Sequence, residues 1–297
     1  MKILLLGKDG QIGWELQRSL ALLGEVVSIN RQSQCCGDLT DLDGIAQTVR
    51  AIAPDVIVNA AAYTAVDEAE NEPNLVRTIN ALAPGVLAEE AKRRNSWLIH
   101  FSTDYVFDGS GSEPWAETAI PAPLNVYGQT KLEGDQLIQQ VGGKYLIFRT
   151  SWIYGVRGDN FVKKILRLGQ SQGQIKVVDD QVGSPTGAEW IADMTSHAIG
   201  RVFDNPDLAG LYHVAAAGET SWHGYARSVL EFAQSAGISL KVTPDKLQAV
   251  PSSSFKAIAR RPLNSRLATQ KFQNVFGLHP IDWESGVIRM LTEILEK

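Results

Sequence analysis

The sequence predicts an α/β protein with a Rossmann-type, doubly wound parallel sheet. An apolar strand at residues 2–6 leads into a glycine-containing loop at 7–13 and then into an amphipathic helix at 14–23. Further along the chain, apolar strand patterns alternate with helical patterns, which favours parallel strands joined by crossover helices. Ligands of such sheets bind at the carboxyl ends of the strands. We therefore expect the functional residues to follow directly after the predicted strands.

The remaining elements follow in the same alternation. Strands are predicted at 26–29, 56–58, 97–101, 145–149 and 175–178, and helices up to 53, at 75–94, around 127, from 188, at 222–236 and at 282–295. Thr40 and Asp43 have capping-box spacing, so we expect Thr40 to begin the second helix. We expect residues 1–154, with part of 155–220, to form an NAD(P)-binding domain. A smaller α/β substrate-binding lobe, interleaved with it, would come from roughly 155–297.

Composition and charge argue against several classes of protein. The chain has 297 residues, of which 44% are hydrophobic and 21% charged, and its net charge of −5 gives no basic surplus for nucleic acid. The apolar runs are too short for a membrane span, and we expect no signal peptide. The adjacent Cys35 and Cys36 fit a reducing compartment. We expect a cytoplasmic protein that binds neither nucleic acid nor membrane.

The first loop predicts a dinucleotide site. Gly7, Gly10 and Gly13 have the spacing Gly-x-x-Gly-x-x-Gly between a strand and a helix. Glycine there allows a tight turn and lets a pyrophosphate approach the helix N-terminus. Glycines are common in other loops too, so the position between strand and helix is what favours a nucleotide.

The end of the second strand bears on cofactor choice. Many NAD-binding proteins have an acid here for the ribose 2′-hydroxyl, but this chain has Asn30 followed by Arg31. No fixed negative charge repels a 2′-phosphate, and an arginine can pair with one. We infer that NADPH is accepted, alongside NADH. A solvated Arg31 without this role is an equal alternative.

Tyr127, Lys131 and Thr103 suit proton delivery to a ketone. On a helix, Tyr127 and Lys131 lie one turn apart on the same face. A phenol has a pKa of about 10, and a nearby ammonium should lower that pKa enough for donation near neutral pH. Thr103 follows a predicted strand, where its hydroxyl can hold a carbonyl oxygen. The pair also arises by chance as packing plus a solvated charge, and the glycine loop favours catalysis.

Over nearly its whole length the chain resembles the extended short-chain dehydrogenase/reductases. The matching stretches are 7–16, 59–67, 102–109, 127–133, 149–155, 180–186 and 260–265. The resemblance implies a Rossmann fold and an NAD(P)H-dependent oxidoreductase. It further implies reduction of the C4 ketone of dTDP-4-dehydro-β-L-rhamnose to dTDP-β-L-rhamnose, a nucleotide sugar for bacterial surface polysaccharide.

The resemblance also implies residue roles. Tyr127 would donate the proton, Lys131 would bind the nicotinamide ribose, and Thr103 would hold the C4 oxygen. Asp104 and Trp152 would contact the sugar. Besides the glycine loop, the cofactor would be lined by Gln11, Ile12, Asn30, Asp38, Leu39, Ala61, Ala62 and Tyr63.

A metal and a dimer follow from the resemblance alone. Some bacterial family members hold Mg²⁺ at a dimer interface through glutamates that resemble Glu15, Glu189 and Glu293. We therefore expect a homodimer and consider a metal there, although isolated acids on helices are usually solvated. Arg260 and Arg261 are candidates for the substrate diphosphate, with a surface or helix-cap role as an equal alternative.

Three other interpretations remain. Related 4,6-dehydratases use an Asp-Glu pair after the threonine, but here Asp104 is followed by Tyr105, which disfavours elimination; epimerases share the same scaffold. The chain could instead reduce another dTDP-4-keto-6-deoxysugar. It could also be a non-catalytic subunit, since the regulatory subunit of eukaryotic methionine adenosyltransferase looks similar. Consumption of the reduced cofactor separates a reductase from an epimerase or a binding subunit.

Overall fold

The computed structural model describes residues 1–295, in which strands and helices alternate through the first half of the chain. The strands are β1 (Lys2–Leu6), β2 (Glu25–Ile29), β3 (Val56–Asn59), β4 (Trp97–Thr103), β5 (Lys144–Thr150), β6 (Ile153–Tyr154), β7 (Ile175–Val178), β8 (Val182–Gly183), β9 (Thr186–Gly187), β10 (Gly210–His213), β11 (Thr220–Ser221) and β12 (Leu247–Val250). The helices are α1 (Gln11–Leu20), α2 (Leu42–Ile52), α3 (Val66–Ala69), α4 (Pro73–Arg77), α5 (Ala83–Arg94), α6 (Val126–Val141), α7 (Phe161–Ser171), α8 (Ala188–Asp204), α9 (Trp222–Ser235), α10 (Gln270–Phe276) and α11 (Trp283–Leu295).

A parallel sheet forms the centre of the molecule. Within residues 1–295 it has six strands in the order β10-β5-β4-β3-β1-β2, and every neighbouring pair is parallel. The chain winds outward in opposite directions from β1 and β3, which makes the gap between these two strands the topological switch point. The predicted Rossmann-type sheet is confirmed.

The two faces of the sheet bury separate apolar clusters because successive strand side chains point to opposite sides. Ile3 and Leu5 of β1 pack with α1, α8 and α10, whereas Leu4 and Leu6 pack with α2 and α5. All four side chains are at most 1% exposed. Burial of each contributes about 1.5–3 kcal/mol, so the strand that precedes the glycine loop is held firmly from both sides.

A third apolar cluster lies outside the sheet. It joins α7, α9 and α11 with the paired strands β7 and β12, and Tyr225 and Leu230 are among its buried members. By contrast, α8 and β10 return to the central sheet. We propose, as the sequence predicts, that a nucleotide-binding domain and a smaller lobe interleave in this half of the chain.

One local prediction is wrong. The side chain of Asp41, not Thr40, caps α2 by accepting the N–H of Gly44 at 2.9 Å. The hydroxyl of Thr40 instead donates to Asp38, also at 2.9 Å. The helix expected over 75–94 is present, and it contains a π-turn at Thr78–Leu82 between α4 and α5. Within residues 1–295, no helix is long and apolar enough to span a membrane.

Candidate active site

The first turn of α6 places Tyr127 beside the carboxyl end of β4. Asn125 begins the helix, because its side-chain oxygen accepts the N–H of Gly128 at 2.8 Å. The ring of Tyr127 packs edge-on against the ring of Tyr105, with 5.6 Å between the centroids. One turn later, Lys131 points inward and is only 2% exposed. The sequence-predicted pair therefore lies on one face of the helix, with Lys131 buried and Tyr127 partly buried.

Thr103 ends β4 next to this pair. It lies in register with Thr150 of β5, and its hydroxyl accepts the N–H of Tyr105 at 3.1 Å. The same hydroxyl donates to Oδ1 of Asp104 at 3.1 Å and is a near neighbour of the Tyr127 phenol. The structure thus brings together the threonine and tyrosine that the sequence selected for a carbonyl oxygen.

The pKa of Tyr127 moves in the direction opposite to our expectation. Burial raises this pKa to about 12, and the charges of Asp104 and Asp135 add to the rise, while the neighbouring hydroxyl of Thr103 lowers it. The expected decrease required the charge of Lys131 to dominate. Burial dominates instead, because an anionic phenolate loses favourable contact with water there.

The amine of Lys131 is engaged by β4. Its Nζ donates to the carbonyl oxygen of Phe101 at 2.5 Å and lies 3.0 Å from Nε2 of His100. Burial lowers the pKa of Lys131 to about 8, while the charge of Asp135 opposes that change. His100 is itself buried, and this contact makes it a neighbour of the lysine of the site.

A buried carboxylate extends the site beyond Lys131. One oxygen of Asp135 accepts the hydroxyl of Ser102 at 3.0 Å and Nε of Arg149 at 3.1 Å. Burial nevertheless raises the pKa of Asp135, so these partners only partly offset its desolvation. This network ties α6 to β4 and β5 directly behind the tyrosine and lysine.

The glycine loop lies at the switch point of the sheet. Gly7 has a φ of 85°, and a β-carbon there would be 2.7 Å from the backbone nitrogen of Ala61, at the end of β3. A β-carbon at Gly13 would overlap the carbonyl oxygen of Gly7. Gly10 differs, since its nearest neighbour would be that same oxygen at 3.4 Å. Gly10 is thus less closely packed by the protein than Gly7 or Gly13, and its place at the N-terminus of α1 fits the approach of a dinucleotide pyrophosphate.

The predicted ribose-binding segment follows β2. Nδ2 of Asn30 donates to Asp9 at 2.6 Å, and its Oδ1 accepts the N–H of Gln32. Arg31 is exposed beside it. Hydrogen bonds from Thr40 lower the pKa of Asp38, and the charge of Arg31 contributes to that decrease. The bond to Asp9 thus ties Asn30 to the glycine loop, and the exposed Arg31 follows it in the chain.

The other predicted cofactor residues occupy different environments. Oε1 of Gln11 accepts Nδ2 of Asn160 at 3.0 Å, and the hydroxyl of Tyr63 donates to Glu72 at 2.7 Å. The backbone of Tyr63 is held by Asn80 from the π-turn, with bonds of 2.9 and 3.1 Å. Burial also differs among the remaining members of the set, with Ile12 and Leu39 buried, Ala61 partly buried and Ala62 exposed.

The predicted sugar contacts lie past the ends of β4 and β5. Burial raises the pKa of Asp104 to about 6, although the nearby side chains of Ser265 and Thr103 lower it, and its Oδ2 has no hydrogen-bond partner among the described residues. Trp152 has a φ of 48° and stacks on Trp222 with 3.7 Å between ring centroids. A left-handed tryptophan is strained, so this packing must hold it in place.

The candidates for diphosphate binding behave differently from one another. Arg261 forms an ion pair with Asp67 at 2.6 Å, and that arginine lowers the pKa of Asp67. Arg260 is exposed, and its carbonyl oxygen accepts Nδ2 of Asn125 at 2.7 Å. The structure therefore gives Arg261 a partner within the protein, which favours the structural alternative for that residue.

The three glutamates proposed for a metal lie within electrostatic reach of one another. Burial raises the pKa of Glu15, and the charges of Glu189 and Glu293 add to that rise. Two of them already pair with arginines, Glu189 with Arg289 at 2.6 Å and Glu15 with Arg18 at 3.6 Å. Across residues 1–295, no group of three or more acidic, histidine or cysteine side chains is arranged to hold a metal ion. One chain alone therefore does not fit Mg²⁺.

The family profile described as "RmlD substrate binding domain" matches residues 1–296. The dTDP-4-dehydrorhamnose reductase of Escherichia coli strain K12 is 52% identical over 295 residues, which cover 99% of this chain and 98% of that protein. This chain belongs to the dTDP-4-dehydrorhamnose reductase family. The membership that the sequence motifs predicted is thereby confirmed.

Two solved structures of the dTDP-4-dehydrorhamnose reductase family extend the comparison. The Bacillus anthracis reductase, crystallised in complex with NADP, has a TM-score of 0.87 and 34% identity, covering 98% of this chain and 99% of that chain. The reductase ortholog of Clostridium acetobutylicum has a TM-score of 0.89 and 32% identity, with full coverage of both chains. The fold described above is thus shared across the length of these family members.

Sequence reasoning missed several residues of the site in this family member. They are Asn59, Asn80, His100, Asp135 and Ser265, all of them buried polar side chains. Buried polar groups are costly unless they are hydrogen-bonded, so each of them signals a specific network. The only signal in the sequence was position, since Asn59 ends an otherwise apolar strand and His100 lies within one.

Proposed function

We propose that this protein catalyses the NAD(P)H-dependent reduction of the C4 ketone of dTDP-4-dehydro-β-L-rhamnose to dTDP-β-L-rhamnose. The observation that carries the proposal is the placement of Thr103 and Tyr127 beside each other at the carboxyl end of β4. Family membership and the name of the relatives at 52% identity supply the substrate. The NADP complex of the Bacillus anthracis relative supports the cofactor.

The proposed chemistry divides between the cofactor and two hydroxyl groups of the protein. When bound, the reduced nicotinamide supplies the hydride to C4. Thr103 and Tyr127 present hydroxyls to the C4 oxygen, which gains negative charge as the hydride arrives, and so stabilise that charge. Tyr127 then gives its proton to this oxygen.

The raised pKa of Tyr127 is compatible with donation. A pKa of about 12 keeps the phenol protonated at neutral pH, which is the form that a proton donor must have. An alcohol is a still weaker acid, with a pKa close to that of water at about 15.7. Transfer from Tyr127 to the developing alkoxide therefore remains favourable, although the phenol is less acidic than the sequence led us to expect.

The sugar and the cofactor would lie on opposite sides of this pair. Towards the lobe, the unpaired Oδ2 of Asp104 can accept a sugar hydroxyl, and the indole of Trp152 offers an apolar face. Towards the switch point, Gly10 leaves room for the pyrophosphate, and Lys131 would bind the nicotinamide ribose. Arg31, exposed after β2, is available to pair with the 2′-phosphate of NADPH.

The homodimer and its metal remain part of the proposal. Glu15, Glu189 and Glu293 come together from α1, α8 and α11, so a second chain bearing the same acids could complete a cation site. Light scattering on the purified protein with Mg²⁺ and then with EDTA tests both points. Dissociation of the dimer on chelation supports a bridging metal. A dimer that persists in EDTA contradicts the proposed metal, and a monomer in both conditions contradicts the proposed dimer.

Turnover tests the reaction directly. Purified protein is mixed with NADPH and dTDP-4-dehydro-β-L-rhamnose, and the nicotinamide absorbance is followed while the product is identified by NMR. dTDP-glucose, which lacks the ketone, is the control. We expect one NADPH consumed for each dTDP-β-L-rhamnose formed, and none with dTDP-glucose. If no NADPH is consumed, the reductase proposal is contradicted, and an epimerase or a binding subunit is favoured. If the protein reduces only another 4-keto-6-deoxysugar, the reaction class holds but the proposed substrate is wrong.

A further inference from the structure

A buried hydrogen-bond chain connects Lys131 to the neighbouring strand β3. Nδ2 of Asn59 lies 3.2 Å from Nδ1 of His100, and Nε2 of His100 lies 3.0 Å from Nζ of Lys131. Asn59 and His100 are 1% exposed and Lys131 is 2% exposed. Water cannot satisfy these groups, so the protein itself must arrange donors against acceptors along the chain.

The direction of this chain is fixed at its Asn59 end. The backbone N–H of Ala61 donates to the side-chain oxygen of Asn59 at 3.2 Å, and that contact requires an oxygen rather than an NH₂ group. Asn59 therefore presents its NH₂ group to Nδ1 of His100, which has to accept. A neutral imidazole that accepts at Nδ1 carries its hydrogen on Nε2. The N–H of His100 is then directed at Lys131.

That direction disfavours the ammonium form of Lys131. An ammonium has only donors, so it would face the Nε2–H of His100 with no acceptor between them. A neutral amine instead has a lone pair for this N–H, and it can still donate to the carbonyl oxygen of Phe101. To protonate Lys131 without conflict, His100 must change tautomer and lose its bond from Asn59.

Charges around Lys131 act in both directions. The titratable and charged groups that surround it are Tyr127 and Asp135 on α6, His100 and Asp104 on and after β4, and Arg149 on β5. Asp135 favours the ammonium, but its pairing with Arg149 weakens that effect. Burial holds the pKa of His100 well below its usual value, and the charge of Lys131, when that residue is protonated, lowers it further. The ring of His100 therefore stays neutral.

We propose that Asn59 and His100 are positioning residues that loosen the hold of Lys131 on its proton through the direction of their hydrogen bonds. Lys131 thereby exchanges a proton near neutral pH instead of carrying a permanent charge. The role of this exchange in catalysis rests on the proposed reductase function. The hydrogen-bond direction itself does not, and it can be measured on the protein without substrate.

Three variants separate hydrogen-bond direction from charge. In Asn59→Asp, both carboxylate oxygens accept, so His100 must place its hydrogen on Nδ1 and offer Nε2 to the ammonium. His100→Gln can turn its amide oxygen towards Lys131, and Asn59→Leu frees Nδ1 to carry the hydrogen; neither adds a charge. His213→Gln replaces another buried histidine of the same sheet that does not contact Lys131, and serves as the matched control.

The readout is the titration of Lys131 by NMR of protein carrying isotope-labelled lysine. Lys131→Met identifies the signal, and an amide spectrum of each variant confirms that it is folded. We expect the midpoint of Lys131 to rise in the three test variants, by at least about one pH unit in Asn59→Asp. His213→Gln should leave it unchanged.

Two results would overturn the proposal. One is a Lys131 titration midpoint that stays unchanged in His100→Gln or Asn59→Leu, provided that the variant is folded. The other is a rise confined to Asn59→Asp, which would show that added charge, and not hydrogen-bond direction, governs the lysine. Either result leaves the reductase proposal standing, because turnover is measured separately. Conversely, if the wild-type protein shows no turnover, the NMR titration of Lys131 still tests this proposal, because it needs no substrate.

Discussion

The α-carbon of Gly13 packs directly against the carbonyl oxygen of Gly7, so that a side chain at Gly13 has no room. A β-carbon at Gly10, between them in sequence, would meet that oxygen only at an ordinary contact distance of 3.4 Å. Two glycines of the loop are thus required by the packing of the protein itself. The third is free for a different requirement, which we assign to the cofactor.

Alanine substitutions should separate these requirements. Gly13→Ala should lower the free energy of unfolding by about 1–3 kcal/mol or more, because the new methyl group overlaps backbone. Gly10→Ala should cost less than about 1 kcal/mol of stability yet weaken NADPH binding roughly tenfold. Denaturant unfolding and fluorescence titration with NADPH measure the two effects. Unchanged NADPH affinity in Gly10→Ala would contradict the assignment of the pyrophosphate to this position.

Arg31 should govern the choice between NADPH and NADH. Arg31→Ala should reduce kcat/KM with NADPH by roughly fivefold, about 1 kcal/mol for an exposed ion pair. It should leave kcat/KM with NADH unchanged, because NADH has no 2′-phosphate. Arg94→Ala, at the end of α5 just before the amino end of β4, is the control. If the ratio of kcat/KM with NADPH to kcat/KM with NADH is the same in wild type and in Arg31→Ala, Arg31 is merely solvated.

His213 should make the protein less stable in acid. Burial lowers its pKa to about 3 from the usual 6.5, so the unfolded chain binds a proton that the folded protein does not. Stability is therefore lost as the pH falls below 6.5, by about 2 kcal/mol near pH 5. His213→Gln should flatten this slope in denaturant titrations at several pH values, whereas the exposed His279→Gln should not. An unaltered slope in His213→Gln would contradict the assignment.

The sequence was sufficient for those parts of the site that depend on local pattern. Gly7, Gly10 and Gly13 lie between a strand and a helix, and Tyr127 and Lys131 lie one helical turn apart, so neither arrangement needs knowledge of the rest of the chain. The sheet followed from the alternation of strands and helices. These features are set by short-range periodicity.

The parts that could not be predicted depend on contacts between distant segments. The pKa of Tyr127 rises because the folded chain removes water from it, which no spacing reveals. His100 lies 31 positions from Lys131, and the two meet only when α6 packs on β4. The π-turn likewise accompanies the contact of Asn80 with Tyr63, 17 positions away. Burial and long-range hydrogen bonds, rather than propensity, decide these features.

Replacement of the phenol of Tyr127 tests the central claim most directly. Tyr127→Phe keeps the ring and its packing against Tyr105 but removes the proton donor. Tyr145→Phe removes another phenol of the same sheet, at the amino end of β5, and is the control. With dTDP-4-dehydro-β-L-rhamnose and NADPH, we expect kcat of Tyr127→Phe to fall by about 10²–10⁴ with NADPH affinity retained, and Tyr145→Phe to match the wild type. Turnover of Tyr127→Phe within a few-fold of the wild type would contradict the account.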